Sequence, residues 1–204
     1  EVLNYYKPRI QSSTIVEKLG LKKHKFFLIS VHREENVDND VNFKCLTDLL
    51  NDLGNQYKLP VIVTTHPRTR KRIDGTSYQF KPLIRFLKPL GFFDYVKLQM
   101  SAKCVLSDSG TIFEESSLLD IPAITLRNEH ERHEGMDEGL LIMSGLNSQQ
   151  VITNIKILLS QNSSINRKLS PVQDYKGGAV SKKILRIVIS YVDYINRNTW
   201  KKIK

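Results

Sequence analysis

"CVLSDSGTIFEESSLLDIPAITL" (Cys104–Leu126) compresses an apolar run, a polar turn, a helical pattern and a second apolar run into one short stretch. The opening "CVLSD" reads as a strand. "TIFEESSLL" carries apolar residues at helical spacing, and "PAITL" (Pro122–Leu126) returns to a β-branched run. A strand, a helix and a strand joined by such short links form one turn of an α/β fold around a mostly parallel sheet.

The rest of the chain repeats the alternation. "KFFLISV" (Lys25–Val31) and "PVIVTT" (Pro60–Thr65) read as strands, and "LIRFLKPL" (Leu83–Leu90) as a third. Helical spacing predicts helices over Asn42–Leu53, Phe92–Ala102 and Asn147–Ser160, and a long amphipathic one over Ala179–Asn198. No internal repeat is visible. The loosest stretch, "SQNSSINRKLSPVQDYKGG", links the last two helices. The predicted class is a Rossmann-like parallel sheet flanked by helices.

Composition narrows the function. A chain of 204 residues is long enough for one large domain with a full core. No apolar run approaches the roughly 20 residues of a bilayer span, and the start lacks a signal-peptide layout. Cys45 and Cys104 sit in apolar segments and read as buried thiols of a reducing compartment, which predicts a cytoplasmic protein. The formal charge of +10 is scattered, with no aromatic-interleaved basic stripe. It suits an anionic small substrate rather than nucleic acid or a membrane.

In an open parallel sheet, ligands bind beyond the carboxyl ends of the strands. There the sequence places His32 and Arg33, then His66, then Ser109-Gly110, then Arg127 within "RNEHERHEG" with Arg132. Ser109 and the helix start offer a hydroxyl and N–H groups to a phosphate, and Gly110 allows close backbone approach. A carboxylate one turn in, Glu115, can accept from a ribose diol. Thr111 and Glu114 also fit a capping box, which predicts a purely structural Glu114. In "HERHE", His130 and His133 are three apart, where a zinc-protease helix needs four, so no metal site is predicted.

"SVHREEN", "TTHPR", "LSDSGTIFEESSLLDIPAITLRNEHERHEGMDEG" and "YKGGAVSKKIL", in this order, resemble the C-terminal half of the non-hydrolysing UDP-N-acetylglucosamine 2-epimerases. "ERHEGMDEG" looks most like the branch that forms UDP-N-acetyl-L-fucosamine for capsule or O-antigen polysaccharides. The resemblance implies the second half of a two-domain fold similar to B-type glycosyltransferases. Residues 1–24 would be the entry from a missing N-terminal domain, residues 25–176 the UDP-binding domain, and residues 177–204 a helix crossing back.

It also implies a reaction: UDP is eliminated as the C2 proton leaves, and re-adds after reprotonation from the other face, with no cofactor. By motif, His32 is the catalytic residue near the departing diphosphate. Ser109, Gly110 and Glu115 bind UDP, with Arg33, His66, Arg127 and Arg132 assisting. The carboxylates that handle the C2 proton belong to the other domain, so this chain alone is expected to be silent and to self-associate as a homo-oligomer. The sequence departs from many relatives at Thr111 (commonly Gly) and at His133 (commonly Pro). The competing readings are a B-type glycosyltransferase donor domain and a basic nucleic-acid-binding module.

Overall fold

The computed structural model describes residues 1–162 and 172–202. Three short helices, α1 (Val2–Tyr5), α2 (Lys7–Gln11) and α3 (Ile15–Lys18), lead into β1 (Phe27–Ser30). Then come α4 (Glu34–Val37), α5 (Asp40–Tyr57), β2 (Val61–Thr64), α6 (Pro67–Asp74), β3 (Ile84–Leu87) and α7 (Phe92–Ser101). β4 (Cys104–Ser107), α8 (Ile112–Leu119), β5 (Ala123–Thr125), α9 (His133–Asp137), β6 (Ile142–Met143) and α10 (Ser148–Asn162) complete the sheet region. A 3-10 turn (Gln173–Lys176) and α11 (Val180–Asn198) follow. Of the stretch predicted to be loosest, residues 163–171 lie outside the described residues.

All six strands are parallel, in the order β3-β2-β1-β4-β5-β6. This is the doubly wound α/β arrangement, and its direction of winding reverses between β1 and β4. The central strands β1, β2, β4 and β5 are largely buried on both faces because helices cover both, whereas the edge strands β3 and β6 are only partly buried. Their side chains alternate between two cores. Phe27, Ile29, Val61, Val63, Cys104, Leu106 and Ile124 pack with Leu46, Leu49, Leu50 and Leu53 of α5 and with Val151 and Ile155 of α10. Leu28, Ile62, Val105 and Ala123 pack on the opposite face with Ile15 and Val16 of α3, Leu98 of α7 and Phe113 of α8.

Local signals explain where several helices begin and end. The Asn39 side chain accepts from the N–H groups of Val41 and Asn42 at 2.9 and 3.0 Å, so α5 starts two residues before its predicted first residue. It ends at Lys58, which sits in the left-handed region at φ 51°. Of the cysteines, Cys104 is buried as expected, whereas Cys45 is only half-buried, because it lies on the border of the α5 apolar stripe; both are free thiols.

One helix is not covered. α11 has no buried residue, and Ile184, Leu185, Ile187, Val188, Ile189, Tyr191 and Val192 are all exposed. Its first turn is tied to the chain's start: Glu1 accepts from the Ser181 N–H and hydroxyl, each at 2.7 Å. Among the described residues, no helix is long and apolar enough to cross a membrane.

Candidate functional site

The reversal between β1 and β4 opens a crevice above their carboxyl ends. Their register pairs Ser30 with Ser107, which sets the following residues, Val31-His32-Arg33 and Asp108-Ser109-Gly110, side by side. Asp108 is fully buried there. Its carboxylate accepts from the backbone N–H of His32 (3.2 and 3.1 Å to the two oxygens), the N–H of Arg33 (2.9 Å) and the side-chain amide of Asn36 (3.1 Å). The Arg33 guanidinium Nε donates to the Asp108 carbonyl at 3.0 Å. A buried carboxylate persists only with such partners, so this one pins the His32-Arg33 turn to β4.

The same carboxylate lies 3.3 Å from His32 Nδ1. A carboxylate beside one ring nitrogen orients the imidazole and leaves Nε2, across the ring, to exchange a proton. The His32 side chain is half-exposed, on a turn that Asp108 anchors.

At the start of α8 a hydroxyl relay leads inward. The Ser109 and Thr111 hydroxyls are 3.0 Å apart, and Thr111 Oγ1 donates to Glu115 Oε1 at 3.1 Å. The other Glu115 oxygen accepts from Gln99 Nε2 at 2.5 Å. Burial pushes the Glu115 carboxyl above its ordinary pKa, against the opposing pull of these two hydrogen bonds. Tyr95 joins this group from α7; burial pushes its phenol up to about 12, and the charges of Glu115 and Asp108 add to the shift. A Cβ on Gly110 would meet no protein atom within 4 Å, so the space in front of the helix start is open.

The predicted capping box is corrected. Thr111 is the N-cap residue of α8 but makes no capping hydrogen bond, since its hydroxyl turns to Glu115. Glu114 instead accepts from Arg132 Nε at 2.9 Å, and this charge-assisted bond outcompetes a neutral backbone N–H. Arg132 thereby ties the segment after β5 to α8. Next to it, Glu134 accepts from the Tyr175 hydroxyl at 3.0 Å. Gly135 fits beneath, where a Cβ would come within 2.6 Å of the Phe113 ring.

Arg127, just past β5, is 6% exposed and donates from Nη2 to Glu131 at 2.9 Å. Arg33 Nη2 is 3.7 Å from the same oxygen. Two guanidiniums from two strand ends therefore face one carboxylate, which the Arg127 hydrogen bond holds below its ordinary pKa. His66 stands one strand further out, exposed, after β2. His130 and His133 meet edge-to-face at 4.7 Å, and among the described residues no group of three or more metal-ligating side chains is found.

Of the residues singled out in the sequence, His32, Arg33, Ser109, Gly110 and Glu115 gather at the β1–β4 reversal. Arg127 reaches Arg33 through Glu131, and Arg132 serves Glu114. Sequence reasoning missed Asp108, Asn36, Tyr95, Gln99 and Glu131. Only Asp108 carried a signal, as an acid at the end of an otherwise apolar strand.

A doubly wound sheet with cations, hydroxyls and a helix start at its reversal point has the architecture on which α/β domains commonly place a ligand crevice. Comparison with known proteins narrows this class. The family model of UDP-N-acetylglucosamine 2-epimerase matches residues 1–189, and the chain belongs to that family. It is similar to the solved UDP-N-acetylglucosamine 2-epimerase of Rickettsia bellii, at 44% identity and a TM-score of 0.84 over 98% of this chain and 54% of that one. The Methanocaldococcus jannaschii UDP-GlcNAc 2-epimerase, solved in complex with UDP-GlcNAc and UDP, matches at 28% identity and a TM-score of 0.72 over 88% of this chain and 50% of that one. The curated M. jannaschii enzyme is 31% identical over 167 residues, which are 80% of this chain and 44% of the relative. The chain thus spans about half the length of the relatives it matches.

Proposed function

We propose that this chain is the UDP-binding half of a UDP-2-acetamido-sugar 2-epimerase acting in surface polysaccharide synthesis. The observation that carries the proposal is the Ser109–Thr111–Glu115 relay at the reversal of the sheet. Ser109 and the N–H groups before α8 meet the diphosphate, and Glu115 takes the ribose diol. Arg33 and Arg127 offset the phosphate charge, with His66 further along the rim and Arg132 bracing α8. As UDP departs, the C1–O bond breaks while a base on the other half removes the C2 proton, leaving a C1=C2 double bond. His32 stabilises the leaving diphosphate as cation or proton donor, and Asp108 keeps its ring aimed. Addition of UDP after reprotonation from the opposite face completes the inversion.

The bare face of α11 fits this reading as the surface on which the other half rests. Segment "ERHEGMDEG" favours the UDP-N-acetyl-L-fucosamine-forming branch over other UDP-sugars. The test is calorimetric titration with UDP of the chain and of Glu115→Gln. Binding that weakens about tenfold in the variant supports the ribose assignment. A folded chain that binds UDP equally well with Glu115→Gln overturns it.

A further inference from the structure

The two guanidiniums of the rim are already neutralised from within. Arg127 is buried, its side chain only 6% exposed. Yet its Nε and Nη1 are buried with no hydrogen-bond partner, so only one of its three nitrogens is satisfied. Such unmet donors on a buried cation are costly unless an anion completes them. The carboxylate that Arg127 does have belongs to Glu131, whose side chain is 59% exposed. Glu131 lies between β5 and α9 in a segment without helix or strand, so it can leave far more cheaply than Arg127 can. Its single oxygen Oε1 serves both Arg127 at 2.9 Å and Arg33 at 3.7 Å, spanning the ends of β5 and β1.

From this geometry we infer that Glu131 is an internal counter-anion that holds the place of the ligand's diphosphate and is displaced when it binds. The inference rests on the reading of this rim as a diphosphate site. A carboxylate and a phosphate compete for the same guanidinium donors, and a diphosphate brings more charge and more acceptor oxygens than the carboxylate it replaces. Binding then includes the cost of releasing Glu131, and apparent affinity is lowered by the fraction of molecules in the paired state. The pairing also raises the threshold for weaker anions, which cannot recover that cost. A carboxylate held by these arginines below its ordinary pKa stays charged throughout the neutral range, so the competition does not lapse there.

The alternative is that Glu131 merely positions Arg127, and the two roles predict opposite signs. The experiment titrates the whole chain with inorganic pyrophosphate and with UDP, as wild type, Glu131→Gln and Glu129→Gln. Glutamine keeps an acceptor for Arg127 while removing the competing charge. Glu129 is an exposed neighbour outside the pair, and its variant changes net charge equally. The expected result is pyrophosphate binding about three- to fivefold tighter in Glu131→Gln, with Glu129→Gln unchanged. Equal or weaker binding in Glu131→Gln, including none detectable in either protein, overturns the inference. So does an equal gain in Glu129→Gln, which would mean a diffuse charge effect. If pyrophosphate tightens but UDP binds no better than pyrophosphate and ignores Glu115→Gln, the counter-anion stands and the nucleotide reading falls.

Discussion

α5 and α11 are near twins in sequence pattern and opposites in circumstance. Each is long, 18 and 19 residues, and each carries an apolar stripe at helical spacing. α5 buries Leu46, Leu49, Leu50 and Leu53 against the sheet, whereas α11 buries nothing. Amphipathic spacing records that a face has a partner; it does not record which surface that partner is. For α5 the partner is β2 and β3, with α10 alongside, supplied by the same fold. For α11 none is present among the described residues, and this bare face is what the proposed second half would cover.

The sharpest way to break this contrast is paired truncation. Leu50→Ala in α5 removes a side chain that is 2% exposed and is expected to cost about 2–5 kcal/mol by urea denaturation. Ile187→Ala in α11, at 58% exposure, is expected to change stability by less than about 0.5 kcal/mol. Equal losses would mean that α11 is covered in solution.

A polar counterpart of the same test is Asp108→Ala. It deprives the His32 and Arg33 N–H groups of their buried acceptor and should cost about 2–3 kcal/mol. It should also abolish UDP binding where Leu50→Ala, if folded, does not.

Glu115 sets function against stability. Its folded pKa is raised by burial, so the folded state holds the proton more tightly than the unfolded chain does. This group therefore favours folding at pH values below its ordinary pKa and works against folding as pH rises through the raised value. Glu115→Gln is expected to raise Tm at pH 7. The ribose, however, needs the carboxylate, so UDP affinity should fall as the solution is acidified through that raised pKa, by up to about tenfold per pH unit. Affinity that is flat with pH would remove the ribose from Glu115. The smallest effect on folding belongs to Val188→Ser in α11. It should leave Tm in place while lowering the concentration-dependent mass that the bare face is expected to produce in sedimentation.

Much of the fold was legible because the strands are short apolar runs rich in β-branched or aromatic residues, as in "FFLIS" and "VIVTT", between turn signals. α6 was not, since "PRTRKRID" has almost no apolar residue and is held by the Thr69 hydroxyl donating to the Val31 carbonyl at 3.1 Å. β6 was not, since two residues define no period. In the site, His32, Ser109 and Glu115 could be read from their positions after strands. Asp108 could not be given its partners, because strand order decides them and sequence does not print strand order. The capping box misled for a related reason: Glu114 had a distant cation, Arg132, that outweighed its local partner.

The link between Asp108 and His32 spans 76 residues of chain. Closing a loop of that size precedes any reward from the contacts it makes, so this corner of the molecule is expected to assemble after local helices and neighbouring strands. A nascent chain halted before β4 has every residue of "SVHREEN" and yet no anchored histidine. Binding at the proposed site would therefore double as a clock for the completion of folding, starting only when the first and fourth strands have met.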